Sequence, residues 1–122
     1  MSATNEKPKV LIVDDHDENL YVLESILETL DVEVVQATSG KEALAASKDG
    51  DLALVLLDVQ MPDMDGFETA SLMREKEATR SVPIIFVTAL GDDDDYVARG
   101  YEVGAVDYLT KPVKPTILRS KV

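Results

Sequence analysis

Five residues of this chain have side chains that could do chemistry, and each lies where a short apolar run has just ended. They are three carboxylates, one hydroxyl and one amine: Asp14, Asp15, Asp58, Thr88 and Lys111. Carboxylates about 4 Å apart repel by roughly 1 to 4 kcal/mol per pair. A hard divalent cation removes that cost, and Mg²⁺ suits a site that offers a few carboxylates, waters and a phosphate. Lys111 and Thr88 could bind phosphoryl oxygens, which leaves Asp58 as a candidate carboxylate nucleophile.

Alternating apolar runs and helix-like segments predict the fold that brings these residues together. Three runs are continuous, as in strands covered on both faces, and two are interrupted by polar residues, as at sheet edges. In chain order the predicted strands are Val10–Val13, Val32–Ala37, Ala53–Leu57, Ile84–Val87 and Ala105–Leu109. An α/β, doubly wound (βα)5 fold of the flavodoxin-like order 2-1-3-4-5 puts the two weaker strands at the edges and helices on both faces. The candidate residues then meet beyond the carboxyl ends of the strands, where such sheets bind ligands.

Helix signals follow each predicted strand. Leucine and isoleucine spacing from Leu20 to Leu30 predicts the first helix, and Ser39 is a plausible N-cap for the second. Asp92–Asp95 precedes the fourth, where negative charge is favoured, so we interpret this acidic run as structural. Pro115 fits the first turn of the fifth, but only about two turns remain before the last residue. We therefore expect a shortened fifth helix and a natural protein that continues past Val122.

Composition limits the kind of protein this can be. The net charge is −12, which disfavours direct binding to nucleic acids and to anionic membranes. The longest apolar run, Leu52–Leu57, is too short to span a bilayer, and the polar segment 1–8 resembles no secretory signal. The chain has no cysteine, which fits a cytoplasmic location. We predict a polar tail over residues 1–8 and one domain over residues 9–122.

At the chemically suggestive positions the sequence resembles the response-regulator receiver domains of two-component signalling. Four ordered segments carry the resemblance: Val10–Asp15, Leu56–Gly66, Pro83–Ala89 and Gly104–Pro112. Four motifs at fitting distances are far more specific than a single Asp-Asp pair, and together they cover the chain from about Lys9 onwards.

The resemblance implies a role for each matching residue in a Mg²⁺-dependent phosphoryl transfer. Asp58 would be the phosphoacceptor. Asp14 and Asp15 would hold Mg²⁺ directly or through water, together with the Asp58 side chain and the backbone carbonyl of Gln60. Lys111 would bind a phosphoryl oxygen. The phosphoryl donor would be a sensor histidine kinase or a histidine phosphotransfer protein.

The resemblance also implies a switch. The Thr88 hydroxyl would bind a phosphoryl oxygen, Ala89 would leave room for the phosphate, and Tyr108 would turn inward when Thr88 moves. The Lys111–Pro112 bond resembles one that is cis in the family. The surface around the fourth helix, fifth strand and fifth helix would then change and act on an output domain. We expect a signalling domain that catalyses its own phosphorylation and dephosphorylation, and not an enzyme in the turnover sense.

Three other functions compete with this interpretation. A haloacid-dehalogenase-type phosphohydrolase also uses an aspartate nucleophile, but it needs an acid two residues later, where this chain has Gln60. Nucleotide binding is disfavoured because neither GxGxxG nor GxxxxGK[ST] is present. A degenerate receiver that serves only as a binding module is disfavoured by the complete set of acids, threonine and lysine.

Several single residues have simpler structural interpretations. An Asp-Asp pair after a strand is by itself more often a turn or helix cap than a ligand set. The segment Asp63–Gly66 suggests a calcium loop, but its alignment puts Met61 and Leu72 at ligand positions. We interpret His16 as a solvated residue beside the site, and Tyr108 alone as a packing residue on an edge strand.

Overall fold

The computed structural model describes residues 7–48, 52–88, 107–110 and 113–121. Strands and helices alternate along the described chain. The elements are β1 (Lys9–Val13), α1 (Asp17–Leu27), β2 (Glu33–Ala37), α2 (Gly40–Ala46), β3 (Leu52–Asp58), α3 (Gly66–Glu75), β4 (Ile84–Thr88), β5 (Asp107–Thr110) and a C-terminal helix (Pro115–Lys121). The predicted fourth helix, which follows Asp92–Asp95, lies outside the described residues.

The strands form one five-stranded parallel sheet in the order β2-β1-β3-β4-β5. This confirms the predicted order, with the two polar-interrupted strands at the edges. The central strands β1, β3 and β4 are buried along almost their whole length. Their continuous apolar runs therefore reflect helices that cover both faces of the sheet.

Successive strand residues point to opposite faces, so the sheet separates two hydrophobic cores. One core packs β-strand residues such as Leu11, Leu57 and Phe86 against α2 and α3. Phe67 of α3 contacts Phe86 edge-on, with ring centroids 5.0 Å apart. The other core contains Ile12, Leu56, Ile85 and Val87 under α1 and the C-terminal helix. The two cores therefore cover the sheet from both sides.

Helix starts follow the polar residues in the sequence. The Ser39 side chain accepts the Glu42 N–H at 3.1 Å, as predicted for the N-cap of α2. Asp65 caps α3 in the same way, accepting the Glu68 N–H at 2.8 Å. The C-terminal helix begins at Pro115, as predicted. Within the described ranges, no helix combines the length and apolar character needed to cross a bilayer.

The α3–β4 connection, residues 76–83, is held by side chains that bond to backbone carbonyls. The Arg74 guanidinium donates from Nη1 to the carbonyls of Thr79, Arg80 and Val82 at 3.1, 3.0 and 2.7 Å. The buried Thr79 hydroxyl donates to the carbonyl of Met73. Partial burial lowers the pKa of Arg74, but guanidinium stays charged in proteins. Polar groups of this connection are therefore hydrogen-bonded where the connection packs against the fold.

Candidate metal and phosphoryl site

Two of the predicted acids lie side by side at the ends of the central strands. Val13 of β1 pairs with Leu57 of β3, so Asp14 and Asp58 each follow one member of that pair. Neighbouring strands are about 4.8 Å apart. Asp14 is 1% exposed and Asp58 is 4% exposed. The fold therefore holds two carboxylates away from bulk water at adjacent positions.

Asp15 and Thr88 complete the described part of this crevice, which we call the acidic pocket: Asp14, Asp15, Asp58 and Thr88. Asp58 pairs with Val87 of β4, and Thr88 is the next residue on that strand. Thr88 is fully buried, whereas the Asp15 side chain is 23% exposed. The pocket thus has a hydroxyl on the β4 side of Asp58 and a second acid on the β1 side.

The loop after β3 packs closely on the Asp58 backbone. The Gly66 N–H donates to the Val59 carbonyl at 2.8 Å. A Cβ at Gly66 would collide with the Asp58 carbonyl oxygen and approach the Val59 Cα to 2.9 Å. Asp63 in the same loop has a φ of 69°, a left-handed conformation that Asp tolerates better than most residues. Glycine at position 66 is therefore what lets the loop fold back and fix the end of β3.

His16 leans over the β1 end of the pocket. Its backbone N–H donates to Asp14 Oδ1 at 2.9 Å. Its ring Nδ1 lies 3.4 Å from Asp14 Oδ1 and 3.0 Å from Asp15 Oδ1. The ring is 63% exposed, which agrees with the predicted solvated residue beside the site. Its contact with both acids was not predicted.

The described site fits a divalent cation. Asp14, Asp15 and His16 each offer a ligand atom, and these atoms all lie within 4.8 Å of one another. Asp15 Oδ1 is buried and accepts no hydrogen bond from any described residue, although His16 Nδ1 is near. A buried carboxylate oxygen without a donor is costly unless a cation approaches it. Asp14, Asp15 and Asp58 are thus oxygen donors suited to a hard ion such as Mg²⁺.

Other predicted site residues are less fully described. Gln60 lies exposed two residues after Asp58, and the predicted role of its carbonyl stays a prediction. Tyr108 lies on β5 opposite Phe86, but its side chain lies outside the described atoms. Ala89, Lys111 and the Lys111–Pro112 bond lie outside the described residues. Thr110, which precedes Lys111, pairs with Thr88.

Two simpler interpretations can also be compared with the structure. Asp65 serves as the N-cap of α3, so the Asp63–Gly66 segment is a turn and a helix start. The acidic run Asp92–Asp95 lies outside the described residues. Sequence reasoning missed the close approach of Gly66, although a glycine eight residues after a strand-end aspartate was the available signal.

A flavodoxin-like sheet with buried acids where β1 and β3 end defines a class of domain that binds its ligand at the carboxyl edge. Comparison with known proteins narrows that class. The family described as "Response regulator receiver domain" matches residues 10–122. The chain therefore belongs to the receiver-domain family of two-component response regulators.

Named relatives and solved structures agree with this assignment. "Probable transcriptional regulator ycf27" of Pyropia yezoensis is 39% identical over 118 residues, which are 97% of this chain and 47% of that protein. "Transcriptional regulatory protein SrrA" of Staphylococcus aureus (strain NCTC 8325 / PS 47) is 39% identical over 115 residues, 93% of this chain and 46% of that protein. The chain thus spans about half the length of these relatives. The chemotaxis protein CheY4 of Vibrio cholerae has a TM-score of 0.89 at 31% identity, covering 94% of this chain and 95% of that one. The receiver domain of a signal transduction histidine kinase from Syntrophus aciditrophicus has a TM-score of 0.83 at 32% identity, covering 93% and 86%.

Proposed function

We propose that this receiver domain accepts a phosphoryl group on Asp58 in a Mg²⁺-dependent reaction, from a histidine kinase or a histidine phosphotransfer protein. The observation that carries the proposal is the adjacent burial of Asp14 and Asp58 at the ends of β1 and β3. Buried like charges at a ligand-binding edge are a signature of function.

Asp58 acts as the nucleophile in this proposal. One of its carboxylate oxygens bonds to phosphorus while the phosphorus–nitrogen bond of a phosphohistidine donor breaks, and the electron pair leaves with the imidazole. The buried backbone of β3 and the packing of Gly66 hold Asp58 in place. Positioning of this kind supplies much of the catalysis in phosphoryl transfer.

The other acids of the pocket would hold the cation. Asp14, Asp15, the Asp58 side chain and the Gln60 carbonyl would bind Mg²⁺. Bound there, the ion offsets the negative charge that accumulates on the transferring phosphoryl oxygens. The Thr88 hydroxyl and Lys111 donate to those oxygens in the product.

The proposed signal begins with a movement of Thr88. When its hydroxyl moves to the phosphoryl group, Tyr108, which lies opposite Phe86 on β5, would turn inward. Ala89 leaves space for the group. The surface around the fourth helix, fifth strand and fifth helix would then change and carry the signal. The aspartyl phosphate is a state of the domain and not a released product, so we do not regard the domain as a turnover enzyme.

We further propose that the domain works in the cytoplasm and controls an output region of a longer protein. The support is its match to about half of relatives named as transcriptional regulators. Direct DNA contact by the domain itself is disfavoured by its net charge of −12.

The experiment is phosphorylation by acetyl phosphate with Mg²⁺, followed by intact-mass measurement. The wild type should gain one base-labile phosphoryl group, and Asp58→Asn should gain none. Asp63→Asn is the matched control, because it removes one exposed acid from the same loop and asparagine also tolerates its positive φ. Labelling of Asp58→Asn to the wild-type extent would refute the assignment.

A further inference from the structure

His16 is an N-cap residue that does not cap its helix. It lies immediately before α1 with extended backbone angles, yet its side chain makes no capping hydrogen bond. Instead the imidazole turns back over Asp14 and Asp15. A histidine that needed only solvent would have no reason to order its ring against two acids, because fixing a side chain costs conformational entropy.

The distances resemble those between ligands of one metal ion. Adjacent ligands in an octahedral site with bonds of about 2.1 Å lie about 3.0 Å apart. His16 Nδ1 lies 3.0 Å from Asp15 Oδ1 and 3.4 Å from Asp14 Oδ1. Asp15 Oδ1, the nearer of the two, is also the buried oxygen that accepts no hydrogen bond from a described residue. Both atoms at the shorter distance could therefore face one cation.

An ordinary ion pair is the competing explanation. A protonated His16 would neutralise part of the acidic pocket and would act as an internal cation. In that case His16 competes with a metal ion, and its removal should strengthen the binding of every divalent ion. A ligand and a competitor thus predict opposite signs for the same substitution.

We propose that His16 Nδ1 is a ligand of the divalent cation in the acidic pocket, so that the site favours borderline ions such as Co²⁺ and Zn²⁺ over Mg²⁺. This inference rests on the proposed metal-dependent function and specifies which cations the site selects. Imidazole nitrogen suits these transition ions, whereas Mg²⁺ prefers oxygen. The neutral ring would bind through Nδ1 and carry its proton on Nε2.

The first test compares metal affinities by calorimetric titration at fixed pH and ionic strength. His16→Gln should weaken Co²⁺ binding by at least about tenfold, a typical loss for a weakened metal site. Its Mg²⁺ affinity should stay within about twofold of wild type, since Mg²⁺ gains little from nitrogen. Equal losses for both ions, unchanged affinities, or tighter binding of both would each overturn the proposal.

The second test observes the ring itself. His16 is the chain's only histidine, so ¹⁵N spectra of labelled histidine report on it without assignment ambiguity. Addition of Zn²⁺ should shift the Nδ1 resonance and leave Nε2 protonated. In the Asp15→Asn variant, a higher Zn²⁺ concentration should be needed to produce the same shift. A shift at Nε2 alone, or a response unaltered by Asp15→Asn, would mean surface binding and would refute the inference.

Failure here can be told apart from failure of the proposed function. Suppose that the wild type binds Mg²⁺ and is phosphorylated on Asp58, but His16→Gln leaves the preference for Co²⁺ over Mg²⁺ unchanged. That result refutes only the role of His16. A wild type that binds no Mg²⁺ and gains no phosphoryl group refutes the proposed function.

Discussion

The acidic pocket and the α3–β4 connection both bring polar groups into the fold, but they treat them in opposite ways. In the connection, Arg74 and Thr79 donate hydrogen bonds to backbone carbonyls. In the pocket, Asp14 and Asp58 lie side by side, and Asp15 Oδ1 accepts no hydrogen bond from a described residue. Satisfied polar groups stabilise a fold, whereas a buried carboxylate oxygen without a donor costs free energy unless a cation approaches it. Arg74 and Thr79 therefore hold the domain together, whereas the acids of the pocket are the residues proposed to bind its ligand.

The largest expected loss of stability is at the connection. Arg74→Ala removes the donor to three carbonyls, and we expect the free energy of unfolding to fall by about 2 to 3 kcal/mol, as for a lost charged donor. Urea unfolding measures this. The matched control is Arg80→Ala, because Arg80 is exposed and surface changes usually stay within about 0.5 kcal/mol. Equal effects of the two substitutions would show that the bonds to Arg74 contribute little.

A smaller loss of stability is expected for a substitution at Gly66, in the loop that packs on the end of β3. The new methyl of Gly66→Ala meets the Asp58 backbone, which cannot rotate away, so we expect a cost of about 1 to 3 kcal/mol and slower phosphorylation. Gly40→Ala is the control. The nearest atoms to its methyl would be side-chain atoms of Thr69 and Met64 and not backbone, and alanine favours the helix. If Gly40→Ala lowers the free energy of unfolding as much as Gly66→Ala does, the close approach of Gly66 to the Asp58 backbone is not the cause of the loss.

The smallest effect concerns acid stability at the α2 cap. The backbone N–H and the hydroxyl of Thr38 donate to the Glu42 carboxylate and lower its pKa below the usual value. A lowered folded-state pKa means that the contribution is present above the unfolded pKa and is lost as pH falls through the folded one. Glu42→Gln should therefore lower stability slightly at neutral pH, and the difference from wild type should shrink on acidification. Melting temperatures across the acidic range measure this, and a difference that grows towards low pH would contradict it.

Much of the fold could be predicted because its signals are local. Continuous apolar runs predicted β1, β3 and β4, and polar interruptions predicted the edge positions of β2 and β5. Ser39 and Pro115 marked helix starts because capping and the fixed φ of proline act within one turn. These features depend on neighbours in sequence, and the structure confirms them.

The rest depends on contacts that a sequence pattern does not contain. Arg74 reaches carbonyls five to eight residues away, which depends on the path of a connection and not on periodicity. The turn of His16 towards Asp15 depends on a rotamer. The neighbouring positions of Asp14 and Asp58 were predictable, because parallel strand order and register follow from the fold. What they bind was suggested by residue type and family resemblance together.

The central claim is that the acidic pocket is a set of mutually repelling carboxylates that a divalent cation stabilises. Thermal melts in chelator and in millimolar Mg²⁺, at fixed ionic strength, test it most directly. In chelator, Asp58→Asn and Asp15→Asn should be more stable than wild type by about 1 to 3 kcal/mol, since each removes local repulsion. Asp63→Asn removes the same charge from an exposed position and should not show this gain.

Mg²⁺ should stabilise the wild type by mass action and the two pocket variants much less, because their ligand sets are incomplete. The stability advantage that the variants have in chelator should therefore narrow or reverse with Mg²⁺. Pocket variants that melt below wild type in chelator, together with a wild type unaffected by Mg²⁺, would contradict it.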